Sequence, residues 1–353
     1  MRSQRYGKES SSPVLCENRN GSLLSHTTGN GRWFCGCGVS FGAAETSASF
    51  GTTRNDRCRG MPRGAEQDRL ALVSTVITRR LFLASGVSSF AALNGQAKFS
   101  FWVLGLLKPS QINVYPLSNA RLHLHSAQGA SIVEGEGAFT VDATRTPIVV
   151  AGPNKSPVSF LLEIPGVIRR RYFGLLAITS VGRLLRPVVT MDGEVAVGSI
   201  AGAELPGRGT PIHALSAQAI AARSFLCAAA PRARHIGAQF CDTTHCQFLR
   251  APADSGSVVE KAVQATRGLV LSSGTAVIPA HYSAACGGQT DSAELDNYQY
   301  RSVVCEPCRR GGIVRRGHGL GLCQTGAISL AKSGWQWQDI AAKYYPGCVI
   351  RNV

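Results

Sequence analysis

Glu204 stands in Gly198-Ser199-Ile200-Ala201-Gly202-Ala203-Glu204-Leu205-Pro206, a stretch otherwise made of small and apolar residues. A carboxyl held in such surroundings loses hydration, which disfavours its charged form and raises its pKa. That is the property a general acid needs near neutrality. A glutamate near a helix start also serves as a plain dipole partner, so the position alone does not assign the role.

A second cluster follows in Arg234-His235-Ile236-Gly237-Ala238-Gln239-Phe240-Cys241-Asp242-Thr243-Thr244-His245-Cys246-Gln247. Two thiols and one or two imidazoles this close can supply zinc ligands, although the spacing is not that of a finger. Adjacent His245 and Cys246 rarely both reach one ion. The favoured set is therefore His235, Cys241 and Cys246, with His245 pointing elsewhere. A Cys241–Cys246 disulfide or a turn of inert polar residues is the competing reading.

Two glycine-rich segments come later. His281-Tyr282-Ser283-Ala284-Ala285-Cys286-Gly287-Gly288-Gln289-Thr290 puts a glycine pair where backbone can approach a ligand. Gly317-His318-Gly319-Leu320-Gly321-Leu322-Cys323-Gln324 places a histidine between glycines ahead of a helix, so N–H groups can face a polar ligand. A serine hydrolase built on Ser283, His281 and Asp291 lacks the Gly-x-Ser-x-Gly elbow that would expose the nucleophile. Cys305-Glu306-Pro307-Cys308 lacks the βαβ surroundings of a redox pair, so a Cys305–Cys308 structural disulfide is expected instead.

These residues need a frame. Short apolar runs at 112–115, 122–125, 147–150, 158–161 and 175–178, each bounded by Gly, Pro, Asn or Ser, predict strands. His123 and His125 alternate with leucines, which puts them on the wet face of one strand. Beyond Glu194 the texture becomes helical. Thr210-Pro211 is expected to cap and open a helix carrying Leu215, Ala219, Ala222 and Leu226 at helical spacing, ended by Pro231. Further helices are expected over 256–266, 324–331 and 337–344, with turn and strand over 270–282. The fold class is α+β: a small β-rich module over 98–165, then a mixed α/β domain over 166–353.

Composition limits the alternatives. The chain has 353 residues, 44% of them hydrophobic, which excludes wholesale disorder, and its 39 glycines show no triplet period. No stable transmembrane span is expected, since no long run is strongly apolar. The net charge is +16. The arginines are scattered without aromatic interleaving, so a nucleic-acid partner is not expected, whereas an anionic envelope polymer suits such a surface.

Residues 1–75 show no sustained period and read as a disordered or mis-started leader extension. Their Cys16, Cys35, Cys37 and Cys58 have only His26 beside them, too little for a zinc module. Residues 76–97 read as an export signal of twin-arginine type. Arg79-Arg80-Leu81-Phe82-Leu83 precedes an apolar run and then Gly95-Gln96-Ala97. An exported protein, in the periplasm or cell envelope, is expected.

Several of these motifs occur in a familiar order. Glu204-Leu205-Pro206, the helix 214–225, Cys241-Asp242-Thr243-Thr244-His245-Cys246-Gln247, Thr266-Arg267-Gly268, Cys286-Gly287-Gly288-Gln289-Thr290, Gly317-His318-Gly319-Leu320-Gly321 and Tyr344-Tyr345-Pro346-Gly347 resemble the SpoIID/LytB family over about residues 170–350. The family comprises stage II sporulation protein D and the amidase enhancer LytB. The resemblance implies a lytic transglycosylase that cuts peptidoglycan glycan strands, preferring strands without stem peptides, with Glu204 as acid and base. Leu205 stands where methionine is commoner, and His281 lies one place early in the His-Ser-x-x-Gly-Gly pattern. Gln218, Arg223, Tyr282, Ser283, Gly287, Gly288 and His318 are the residues expected to bind the glycan. The resemblance also implies structural zinc on His235, Cys241 and Cys246. A binder that activates a cell-wall amidase without turnover is the alternative.

Overall fold

A computed structural model describes residues 97–205 and 207–353. The export signal and the N-terminal cysteines lie outside the described residues. Nine strands come first: β1 (Lys98–Trp102), β2 (Gln111–Pro116), β3 (Leu122–Ser126), β4 (Gly129–Val133), β5 (Phe139–Asp142), β6 (Ile148–Ala151), β7 (Val158–Ile164), β8 (Ile168–Val181) and β9 (Leu184–Asp192). Alternation along β2 and β9 buries every second residue, as a half-covered strand requires. In β3, Leu122 and Leu124 are buried while His125 is exposed and His123 half-buried, so the two histidines occupy the wetter face.

The sheet runs past residue 165, where sequence placed the end of the β-rich module, and continues to Asp192. The strand expected over 175–178 falls within β8, and two features hid its full extent and β9. Arg169, Arg170 and Arg171 break the apolar alternation at the start of β8, and Pro187 looks like a breaker although it pairs with Ile178 inside β9. β8 pairs with β7 along its first half and with β6 and β9 along its second. The change of partner falls at Gly174, whose φ is +154°. A Cβ there would run into the Thr190 carbonyl oxygen, so only glycine fits the bend.

After the sheet come α1 (Gly193–Glu204) and α2 (Ile212–Ala229), then β10 (Phe240–Cys241), which adds to the sheet in parallel beside β1. Asp192 caps α1 by accepting from the Glu194 N–H at 2.9 Å. The α2 helix starts at Ile212 with Pro211 as its N-cap, one residue later than the start at Pro211 expected from sequence. Proline's extended entry (φ −60°, ψ 142°) shifts the start by one residue.

The remainder runs α3 (Val258–Ala265), β11 (Leu269–Ser273), β12 (Ala276–Val277), β13 (Tyr282–Ser283), β14 (Ala293–Leu295), β15 (Tyr298–Tyr300), α4 (Glu306–Arg310), β16 (Leu322–Cys323), α5 (Gln324–Lys332), α6 (Trp337–Tyr344) and β17 (Val349–Asn352). At α3 the Ser257 hydroxyl accepts from the Glu260 N–H at 3.2 Å, and the Glu260 carboxylate reaches back to accept from the Gly256 N–H one residue ahead of the cap.

Two apolar cores result, and α2 belongs to both. Ala219, Ala222, Phe225 and Leu226 pack into the core under the large sheet. Ala214, Leu215, Ala217, Ile220 and Ala221 pack against the C-terminal elements. Five alanines let two layers close on this helix from opposite sides. The stretch Ile212–Arg232 is long and apolar enough to cross a membrane, yet 78% of its apolar window is buried within the domain, as a central core helix demands.

Candidate active site

Glu204 is the last residue of α1, half-buried, and burial raises its carboxyl pKa above the ordinary carboxylate range. Three groups oppose that rise in part. Gln324 Nε2 donates to Glu204 Oε2 at 2.9 Å, the Phe248 N–H donates to the same carboxyl, and the Arg250 guanidinium lies near. Other acidic groups of the fold are engaged in ion pairs of their own. Glu194 is held by Arg223, Asp242 by Arg170 at 2.8 Å, and Asp291 by Arg315.

Each donor arrives from a different segment. Gln324 opens α5 and follows β16, which lies parallel to β13 with Tyr282 beside Leu322 and Ser283 beside Cys323. This pairing brings the two glycine-rich segments together. Gln324 Nε2 also approaches Gln218 Oε1, at 3.4 Å, and the Gln218 Nε2 has no hydrogen-bond partner among the described residues. Tyr282 donates its hydroxyl to Gln247, the residue directly after the Cys/His loop. Glu204, Gln218, Tyr282 and Ser283 are therefore gathered around Gln324. Sequence reasoning passed over Gln324 and Gln247; the signal available was their place directly after the motifs Gly-Leu-Cys and His-Cys.

Four of the residues expected to contact glycan have other neighbours in the structure. Arg223 is 4% exposed, and its Nε and Nη2 clamp Glu194 at 2.8 and 2.6 Å while Nη1 donates to the Leu269 carbonyl. Three of its five N–H groups hold α1 to α2 and β11. Gly287 and Gly288 have φ of +77° and +109°, and a Cβ on either would press on Arg315 or Arg309. They shape a tight turn after Cys286. His318 is exposed, accepts from the Leu320 N–H at 3.0 Å through Nδ1, and stands edge-on to His281. The hydrolase constellation does not form, because His281 faces Asp296 at 3.3 Å and Asp291 is tied to Arg315. A separate cavity of about 450 Å³ is lined by Arg232, Asp296, Tyr298, Arg301 and Cys348 and contains none of the groups around Glu204.

The Cys/His loop is docked on β1. The Asp242 N–H donates to the Trp102 carbonyl, and the buried Asp242 carboxylate accepts from the Leu104 N–H and Arg170. In the loop, Cys246 Sγ lies 3.1 Å from His235 Nε2 and 3.3 Å from His245 Nδ1, which is also 3.7 Å from Cys241 Sγ. All four donor atoms lie within 4.8 Å of one another. The expectation that His245 points away is thus corrected: the turn at Thr243, whose hydroxyl accepts from the His245 N–H at 3.2 Å, folds its ring back into the group. Two thiols and two imidazoles in this arrangement could hold a single metal ion.

The eight cysteines among the described residues are free thiols, so no Cys305–Cys308 bridge forms; both sulfurs instead converge with Cys286 and Cys323.

A family model described as SpoIID, stage II sporulation protein, matches residues 185–272. The matched stretch contains Glu204, Gln218 and the whole Cys/His loop; the segments from His281 onward lie outside it. No curated protein matches the chain.

Proposed function

We propose that this SpoIID-like chain is a lytic transglycosylase of peptidoglycan in the cell envelope, with Glu204 as its single acid and base. The observation that carries this reading is the Glu204 carboxyl. It is desolvated, steered by two fixed donors, and has no carboxylate partner among the described residues. A glycosidase that activates water uses two carboxyl groups flanking the scissile bond. A single carboxyl suffices when the nucleophile is the sugar's own hydroxyl.

In the proposed reaction, protonated Glu204 donates to the glycosidic oxygen that leaves with N-acetylglucosamine. Positive charge develops at the muramic acid C1. The resulting Glu204 carboxylate then takes the proton of the muramyl C6 hydroxyl as that oxygen bonds to C1, which closes the 1,6-anhydro ring and restores the acid. Gln324 and the Phe248 N–H hold the carboxyl in place through both steps and stabilise its charged form between them.

The Cys/His group would hold zinc through Cys241, Cys246, His235 and His245. Four protein donors complete a tetrahedral shell, which marks a structural role rather than an open catalytic one. Bound there, zinc would supply a crosslink that fixes the loop leading to Gln247 and Phe248.

Glu204→Gln is expected to lower release of anhydromuropeptides from stem-free glycan by about 10²–10⁴-fold, the range for a lost general acid or base, with glycan binding retained. A zinc-loaded wild-type protein that gives no anhydro product from any glycan strand would leave the amidase-activator reading standing. Activity that survives in Glu204→Gln but disappears with the metal would instead favour a zinc amidase.

A further inference from the structure

We propose that Cys286, Cys305, Cys308 and Cys323 bind a second zinc ion, in a buried four-thiolate site that braces the cleft wall carrying Gln324. The four sulfurs come from three separate segments and lie within 4.8 Å of one another. Each residue is at most 1% exposed. Buried cysteines often act simply as small apolar side chains, but that role gives no reason for four sulfurs to meet at one point.

The spacing selects the ligand. A zinc ion about 2.3 Å from each of four thiolates sets neighbouring sulfurs about 3.8 Å apart. Cys308 and Cys323 stand at 3.5 Å. Clusters of two or four irons bind their thiolates on different metal atoms and spread them further apart than one ion does. One tetrahedral ion is the fit, and an all-sulfur tetrahedral set is typical of zinc.

The backbone is arranged to receive charged sulfur. The Cys286 and Gly326 N–H groups both approach Cys323 Sγ at 3.4 Å. The Gly288 N–H donates to Cys286, and the Cys308 N–H to Cys305 across the Cys-x-x-Cys turn. Such N–H···S contacts orient thiolate ligands and offset their charge. Arg315, paired through both Nη groups with Asp291, donates its Nε to the Cys286 carbonyl at 3.2 Å and so fixes the backbone of that ligand. This also accounts for the glycines. Gly288 makes the turn that turns its N–H to Cys286, and a Cβ on Gly326 would overlap Tyr344 Oη and Cys305 Sγ.

The site sits next to the chemistry. Cys323 caps α5 and is followed directly by Gln324, the donor to Glu204. The inference stands on the thiol geometry alone, whether or not Glu204 proves to be catalytic.

The test is metal stoichiometry of the full chain purified with zinc. Two zinc ions per chain are expected, falling to one in Cys308→Ser and to one in the double variant His235→Ala with Cys241→Ser. X-ray absorption at the zinc edge of the wild type supplies a readout that needs no variant to fold. It should give about three sulfurs per zinc averaged over the two sites, against about two if only the Cys/His group is filled. One zinc per chain that vanishes in the His235/Cys241 variant overturns the proposal. So does a Cys305–Cys308 or Cys308–Cys323 disulfide in the native protein, or iron with visible absorption in place of zinc.

Discussion

Glu204 was recognisable in sequence because its neighbours are small and apolar, and desolvation is what sets its carboxyl apart in the structure. Its donors were not recognisable, because Gln324 is 120 positions away and an isolated glutamine carries no spacing signal. The Gln324 contact has a definite sign. Its N–H favours the charged carboxylate, so it pulls the Glu204 pKa down against the rise caused by burial. In the proposed reaction Glu204 is protonated at the first step, so activity should fall as pH rises through its pKa. In Gln324→Met the carboxylate loses a donor, the pKa rises further, and the alkaline limb of the pH–rate profile should move to higher pH. The maximal rate should also fall, by about tenfold for a lost hydrogen bond of ~1.4 kcal/mol. A limb that stays in place or moves to lower pH would show that Gln324 does not act on this carboxyl. The His245 correction has the same origin as the Gln324 miss: adjacency in sequence suggested divergence, and a single turn at Thr243 reversed it.

At the scale of elements, α2 was legible from the 3.6-residue recurrence of Leu215, Ala219, Ala222 and Leu226, all fully buried. Its neighbours were harder to foresee. β13 and β16 are two residues each, too short for any periodicity, yet their parallel pairing assembles the site. The long β8 was half-hidden by its three arginines, one of which, Arg170, reaches the buried Asp242. Arg223, expected at the glycan, has a structural partner within the fold. A buried guanidinium on a motif helix suggests an anionic substrate, but here its bidentate partner is Glu194 on α1. Arg223→Met should destabilise the protein by about 3–5 kcal/mol, since it leaves Glu194 in a buried setting without its counter-charge. The surviving folded fraction, assayed at low temperature, should keep the wild-type KM for glycan. A raised KM without loss of denaturation free energy would return Arg223 to the substrate.

For the whole molecule, the sequence spoke to class and not to arrangement. The basic balance of +16 points to an anionic polymer surface, but charge carries no information on fold. Two cores divided by one alanine-rich helix could not be foreseen, because small residues are equally at home on either side of a contact. Each core carries its own thiol group: Cys241 and Cys246 belong to the one under the sheet, and Cys286, Cys305, Cys308 and Cys323 to the one under the C-terminal elements. Metal lost from either group would loosen one face of α2, and the helix cannot be released on one face without weakening the other. Zinc-loaded protein should therefore unfold in a single calorimetric transition. A strong chelator should lower its midpoint by at least about 10 °C, which for a domain of this size reflects only a few kcal/mol. The transition should stay single, with loss of activity following loss of structure rather than preceding it. Two resolved transitions, only one of them moved by the chelator, would mean that α2 does not couple the cores and that each metal group stabilises its own half alone.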